Sequence, residues 1–158
     1  MNTHARSLLG ASALLGILTI ATPIAANAEY APRTPCSVTP PAQPVMISPF
    51  SGAASVPLEG NWVEIAAPVD GVPPLDQQRV VLTDSTPYAI DGGTLQPDPG
   101  FQWPGLMSTS SSSTPMRVVK TWIPALRADT QYTVHLVLPN QGNCVYATLG
   151  SFTSGDPE

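Results

Sequence analysis

The sequence is poor in the residues that enzymes use for acid–base and metal chemistry. Its 158 residues include only two histidines and two cysteines, and one of the histidines, His135, lies beyond the N-terminal leader. A zinc site needs several His and Cys ligands. A serine hydrolase of the α/β type would carry a Gly-x-Ser-x-Gly elbow, which is absent. We therefore expect no catalytic residue, no metal ligand, no cofactor and no enzymatic activity.

Basic residues are also scarce, with six Lys and Arg against eleven Asp and Glu and a formal charge of −5. Nucleic-acid binding draws on clustered Lys and Arg, so we expect no nucleic-acid partner. The acidic residues are scattered along the chain, which is typical of an ordinary solvated surface rather than of an ion sensor.

Long apolar runs are missing after the N-terminus. The first run, residues 8–21, follows the single base Arg6 and is too short to cross a bilayer, which takes about 20 residues. It is followed by Ala26-Asn27-Ala28, which offers the small side chains that a signal peptidase admits. The pattern predicts a signal peptide over residues 1–28.

Cleavage at that point would leave 130 residues that begin with Glu29, not with the cysteine of a lipoprotein. The product would carry five basic and eleven acidic residues, a formal charge of −6. We expect it to be secreted or periplasmic, without stable membrane insertion.

Cys36 and Cys144 both lie in this exported part, where two cysteines are normally paired. A redox pair would more often be spaced as Cys-x-x-Cys, and a cysteine protease needs a histidine partner. The sequence predicts one structural disulfide. A loop of this length stabilises the fold by about 4 to 5 kcal/mol through chain entropy.

Nineteen prolines and twelve glycines leave almost no interval long enough for an α-helix. Residues 29–44 are Pro-rich, which predicts an extended arm. We expect residues 45–154 to form an all-β domain and residues 155–158 to form a tail.

Residues 84–115 are rich in Gly, Pro and Ser. A structureless loop of that length is unusual, so we expect one irregular strand or hairpin near 86–90. The Ser/Thr run at 108–114 is predicted to be a flexible linker, with O-glycosylation as the alternative.

Short runs of β-branched and aromatic residues, bounded by turn formers, predict the remaining strands. In the second run, alternation puts Val63 and Ile65 on one face and Trp62 and Glu64 on the other. The last two runs form a predicted hairpin around the turn at 139–143, where Gly and Asn adopt positive φ readily. The predicted strands are 45–50, 61–66, 79–83, 116–123, 132–138 and 144–153.

Several short motifs follow one another along the chain: Ser48-Pro49-Phe50-Ser51-Gly52-Ala53, Val56-Pro57-Leu58, Trp122-Ile123-Pro124-Ala125-Leu126, Asp129-Thr130-x-Tyr132, Gly142-Asn143 and Ser151-Phe152-Thr153. Their order resembles that of the bacterial Ig-like domains first associated with surface-layer proteins. The resemblance spans the two ends of residues 46–153 and is poor in the middle. It implies an Ig-like antiparallel β-sandwich of about seven strands and a non-catalytic binding, adhesion or envelope-support role.

In such a domain Tyr132 would be a tyrosine corner tied to the backbone near Leu126, and Phe152 would close the end of the sandwich. The disulfide departs from the family pattern. We therefore expect it to fasten the N-terminal arm rather than the core.

For recognition we single out Phe101 and Trp103, which lie between Pro and Gly in the irregular segment, because aromatic side chains on loops anchor many binding surfaces. The alternative is that they fold back over an open end of the sandwich. The expected partner is a protein or an envelope or extracellular ligand of unknown identity.

Three other functions remain open from the sequence. The chain could be a small exported enzyme or inhibitor with its active groups in residues 84–115. It could be a calcium-binding sandwich that uses Asp84, Asp91 and Asp98, since hard cations take carboxylate oxygens. It could also resemble the exported copper carriers, which share a similar opening. Those proteins use an N-terminal histidine, where this chain has Glu29-Tyr30, and Met46, Met107 and Met116 are not clustered.

Overall fold

A computed structural model describes residues 31–69, 73–86, 89–100 and 115–155. The predicted signal peptide, the candidate binding residues Phe101 and Trp103, and the Ser/Thr run at 108–114 lie outside these described residues.

The fold is all-β, as predicted. Within the described ranges there is no α-helix, and two short 3₁₀ turns lie at Leu75–Gln77 and Pro139–Gln141. No helix in this part of the chain is long and apolar enough to cross a bilayer. The eight strands are β1 Val45–Ser48, β2 Trp62–Pro68, β3 Arg79–Thr83, β4 Ala89–Thr94, β5 Gln96–Pro97, β6 Met116–Trp122, β7 Gln131–Leu138 and β8 Cys144–Thr153.

The six strands predicted from β-branched runs are confirmed. Strands β3 and β8 have the predicted bounds, and β1, β2, β6 and β7 differ at their ends by one or two residues. Strand β1 ends at Ser48 and not at residue 50, as predicted, because a turn begins at Pro49. The Ser48–Pro49 peptide bond is cis.

The irregular segment contains strands, as expected, but they lie later in the chain than the strand or hairpin predicted near 86–90. Strand β4 runs from Ala89 through Gly92 and Gly93 to Thr94, and β5 begins two residues later. Close packing favours glycine here, because a Cβ on Gly92 would lie 3.2 Å from Ile123 Cγ2 and 3.2 Å from the Val80 carbonyl oxygen. The residues that suggest a turn in the sequence therefore belong to a strand.

The strands form two four-stranded sheets, in the orders β1-β2-β6-β5 and β4-β3-β7-β8, and every pairing is antiparallel. Both sheets contribute to a single large core cluster, so the two sheets pack face to face. Its fully buried members alternate along the inner strands, for example Val63 and Ile65 on β2 and Val134 and Leu136 on β7.

The N-terminal arm lies along one end of β8. The Cys36 N–H donates to the Val145 carbonyl at 2.9 Å, and the Val145 N–H donates to the Thr34 carbonyl at 2.9 Å. The predicted disulfide between Cys36 and Cys144 is formed and fastens this arm. Contrary to the expectation, it also reaches the core, because Cys144 is buried in the main cluster and Cys36 packs against it.

The segment that follows β1 covers the other end of β8. The Gly52 N–H donates to Ser151 at 2.7 Å, the Val56 N–H donates to Thr153 at 3.0 Å, and Val56 forms a parallel bridge with Ser154. The chain thus leaves the first sheet after β1 and runs beside the second. This crossing places residues 49–57 next to the start of β2, where the candidate site lies.

Candidate functional site

Three large aromatic side chains are exposed at the end of the first sheet where β2 starts and β6 ends. Phe50 is 67% exposed, Trp62 is 40% exposed and Trp122 is 48% exposed. We call these three residues the aromatic face. Trp62 and Trp122 point outward because they are out of phase with the buried neighbours Val63 and Thr121. Clustered exposed aromatic side chains of this kind mark binding surfaces more often than isolated ones do.

The two tryptophans are cross-strand partners in the β2–β6 register. Their ring centroids are 5.2 Å apart and their planes are at 79°, an edge-to-face arrangement that aromatic pairs favour. The Lys120 ammonium lies 5.2 Å from the centroid of Trp62 and forms an ion pair with Asp98 at 3.1 Å. The indoles are therefore held in place although they are exposed.

An open groove of about 450 Å³ runs beside Trp62. One wall is the 49–57 segment with Phe50, and the other is the start of β2 with Trp62. Its polar groups include Ser48, Asn61 and Glu64. The Asn61 amide donates to the Pro57 carbonyl, which ties the two walls together.

Glu64 lies opposite Lys120 in the β2–β6 register, but the ammonium of Lys120 is bound to Asp98 instead. Among the described residues, the Glu64 carboxylate has neither an ion-pair partner nor a side-chain hydrogen bond within the usual distances. It is half-buried at the edge of the groove. The groove thus combines aromatic walls with a carboxylate that forms no ion pair among the described residues.

The three aspartates considered as calcium ligands bind three different bases. Asp84 pairs with Arg127, Asp91 with Arg79 and Asp98 with Lys120. Within the described part of the chain, no group of three or more His, Cys, Asp or Glu side chains is placed to hold a metal ion.

Burial alone would raise the pKa of Asp84. The side-chain and backbone hydrogen bonds from Thr86, together with the charge of Arg127, outweigh burial and lower the pKa of Asp84 below its ordinary value. Asp84 lines a second groove with Asp129 and Thr130 at the same end of the molecule, but its carboxylate is already engaged by Arg127 and Thr86.

His135 lies on the outer face of the second sheet, as predicted. One ring nitrogen, Nε2, is 3.0 Å from the Thr83 hydroxyl, and the other, Nδ1, is 3.1 Å from the Thr148 hydroxyl. Burial lowers the pKa of His135. Its hydrogen-bond partners are hydroxyl groups, whereas a catalytic triad would place a carboxylate against one ring nitrogen.

The two residues singled out for a structural role are both in the core. Tyr132 and Phe152 are fully buried, with ring centroids 5.8 Å apart. The Arg127 N–H donates to the Tyr132 hydroxyl at 2.9 Å, one residue beyond Leu126. This contact joins the start of β7 to the chain that precedes it.

The aromatic face itself was missed by sequence reasoning, which favoured Phe101 and Trp103. A signal is present in the alternation of β2, which places Trp62 on the face opposite Val63 and Ile65. A large aromatic side chain on a non-core face is a candidate contact residue.

Comparisons with protein families, with curated proteins and with solved structures find no match to this chain.

Proposed function

We propose that this chain is an exported, non-catalytic module with an Ig-like fold that binds a protein or envelope ligand through its aromatic face. The strand orders support the Ig-like part of the proposal. In chain order, β1-β2-β6-β5 corresponds to the A-B-E-D sheet of Ig domains, and β4-β3-β7-β8 corresponds to a C-F-G sheet extended by one strand.

The contact at the start of β7 is a second support for an Ig-like fold. In Ig domains a tyrosine near the start of strand F binds the backbone a few residues upstream. Tyr132 is the second residue of β7 and accepts a hydrogen bond from the Arg127 N–H.

The disulfide supports export. Disulfides persist in oxidising compartments and are rare in the cytosol, and the Cys36–Cys144 bond is formed in a chain with a predicted signal peptide. The acidic composition is compatible with a soluble protein in such a compartment.

The observation that carries the binding role is the aromatic face beside an open groove. Binding energy at interfaces is concentrated in a few aromatic and Arg residues. Here three exposed aromatics lie at one end of one sheet, with the two indoles fixed by mutual contact and by Lys120. A surface fixed in this way loses little side-chain entropy when it binds a partner.

The test compares capture of envelope and medium components by the exported protein and by a Trp62→Ala/Trp122→Ala variant. We expect the double variant to lose at least about tenfold in affinity for the captured component, because truncation of interface aromatics commonly costs more than 1 kcal/mol each. Val69→Ala is the matched control, since Val69 is also exposed but lies at the other end of β2. Equal capture by both variants would refute the proposal.

A further inference from the structure

We propose that the groove beside Trp62 recognises a cationic side chain, lysine or arginine, carried by an extended segment of a partner protein. This inference rests on the proposed function, because it assigns a ligand class to the same aromatic face.

The first support is that Trp62 already accepts an ammonium group. Lys120 Nζ lies 5.2 Å from the Trp62 ring centroid and is held there by Asp98 at 3.1 Å. Cations are attracted to the faces of aromatic rings, most strongly to tryptophan. Trp62 thus already takes part in one combination of ring, cation and carboxylate. The groove brings the same ring together with a second carboxylate, Glu64.

The second support is the charge at this end of the molecule. Glu64 lines the groove. The exposed Glu59 precedes Gly60, which lies close to Trp122: a Cβ added to Gly60 would be 3.9 Å from the Trp122 ring. Neither carboxylate has an ion-pair partner among the described residues. The two bases that lie nearest, Lys120 and Arg127, are bound to Asp98 and Asp84.

The other described bases lie towards the opposite end of the strands. Arg117 is near the start of β6, Arg79 starts β3 and is paired with Asp91, and Arg33 donates its backbone N–H to Asn143. The aromatic face therefore carries two carboxylates, Glu59 and Glu64, that form no ion pair among the described residues, while the ammonium beside Trp62 is already paired with Asp98. Interfaces juxtapose opposite charges, and such complementarity selects the partner and speeds association.

The third support is shape. The groove is open to solvent, with Pro49, Phe50 and Pro57 of the 49–57 segment on one side and Trp62 at the start of β2 on the other. Extended segments bind in shallow aromatic- and proline-lined grooves of this kind. A neutral sugar would use the same rings, but it would leave the Glu64 carboxylate without a countercharge. The observations therefore favour a basic polypeptide segment.

The test titrates the exported protein, with its disulfide intact, with a short peptide of alternating lysine and serine at low ionic strength. Binding is followed by tryptophan fluorescence and by calorimetry. We expect Glu64→Gln and Trp62→Ala each to weaken binding about tenfold. The affinity should fall as salt is added, because the charges are exposed to solvent.

Asp76→Asn is the matched control, since it removes the same charge from an exposed position in the 3₁₀ turn near the start of β3, away from the groove. We expect its affinity to stay within about twofold of the parent protein, as isolated surface charges far from a contact contribute little. The same peptide with its lysines acetylated keeps the length but lacks the charge, and it should not bind.

Equal effects of Glu64→Gln and Asp76→Asn, equal binding of the acetylated peptide, or no binding of the lysine peptide would each overturn the inference. Binding of a neutral chitooligosaccharide that depends on Trp62 but not on Glu64 would also overturn it and would leave the proposed binding function standing. The proposed function itself fails only if capture is indifferent to loss of both tryptophans.

Discussion

At the residue scale, Tyr132 combines core packing with a backbone contact. Its ring is fully buried against Phe152, and its hydroxyl accepts a hydrogen bond from the Arg127 N–H. Tyr132→Phe keeps the ring and leaves that N–H without its acceptor. We expect the free energy of unfolding to fall by about 1 to 2 kcal/mol.

Urea unfolding measures this effect as a lower midpoint with an unchanged slope. Thr133→Ala, a change on the outer face of the same strand, is the control and should alter stability by less than about 0.5 kcal/mol. An unchanged midpoint for Tyr132→Phe would show that the hydroxyl contact contributes nothing.

His135 provides a pH dependence with a defined sign. Burial lowers the pKa of its imidazole in the folded state below the ordinary value of 6.5. The folded state therefore disfavours the charged ring. The part of the unfolding free energy that depends on neutral His135 is fully present above pH 6.5. It falls as the pH drops from 6.5 through the lowered pKa of His135 in the folded state.

Unfolding free energies measured between about pH 7.5 and about pH 5, a range that spans the ordinary pKa of histidine, test this expectation. In His135→Gln the decline over this window should be absent. The contribution of Asp84, whose folded pKa is lowered, is lost only at pH values below its ordinary 3.8, outside this window. An identical decline in the variant and the parent would assign it to other groups.

The candidate site shows how far single residues are predictable. The disulfide was predictable because the predicted signal peptide implies an oxidising compartment and a single cysteine pair leaves one possible bridge. The aromatic face was not, because it depends on the register Trp62↔Trp122 and on the crossing that brings Phe50 beside β2. Periodicity puts Trp62 outside the core, but it does not say that Trp122 is its neighbour.

At the element scale, the contact between the 49–57 segment and β8 depends on Gly150. Its φ is +140°, and a Cβ there would lie 2.8 Å from Ser51 Cβ. Gly150→Ala should force Ser51 away and weaken the pairing of Gly52 with Ser151. We expect a loss of about 2 kcal/mol, in the range of overpacking and strained backbone.

Gly142→Ala is the control, because Gly142 also has positive φ, +71°, but has nothing within 4 Å of an added Cβ. It should lose only about 1 kcal/mol from backbone strain. Denaturant unfolding compares the two, and Ser51→Gly in the Gly150→Ala background should recover part of the loss. A Gly150→Ala protein as stable as the control would contradict the packing argument.

Most strands were predictable from local pattern, since β-branched runs such as Arg79–Thr83 and the alternating Tyr132–Leu138 occupy central positions between two neighbours. Strands β4 and β5 were not. In β4, Asp91, Gly92 and Gly93 have poor β propensity. They are strand residues because β4 pairs with β3 and Thr121 donates its hydroxyl proton to the Gly92 carbonyl. Tertiary contacts decide the structure there.

At the scale of the whole molecule, the edge of β8 is covered at both of its ends. The arm at 34–36 pairs with Val145, and the segment at 52–56 pairs with Ser151 and Thr153. Uncovered edge strands tend to pair with other chains. The disulfide holds the first of these covers and joins residues 108 positions apart.

Cys36→Ser/Cys144→Ser should therefore lower the free energy of unfolding by about 4 kcal/mol, the chain-entropy value for a loop of this length. Reduction of the parent protein should produce the same loss, and the variant should not respond to the reductant. Capture through the aromatic face should survive in the folded variant, because the disulfide is at the far end of β8, about 30 Å away by strand rise. Equal stability of both proteins would contradict a bracing role.

Binding through the aromatic face can be followed by NMR of the isotopically labelled protein with its disulfide intact, titrated with the component that the capture experiment isolates. We expect the indole N–H signals of Trp62 and Trp122 and the amides of Phe50 and Glu64 to shift or broaden, while His135 and Thr148 on the other sheet do not change. Changes confined to the His135 sheet, or none at the indoles, would show that another surface binds.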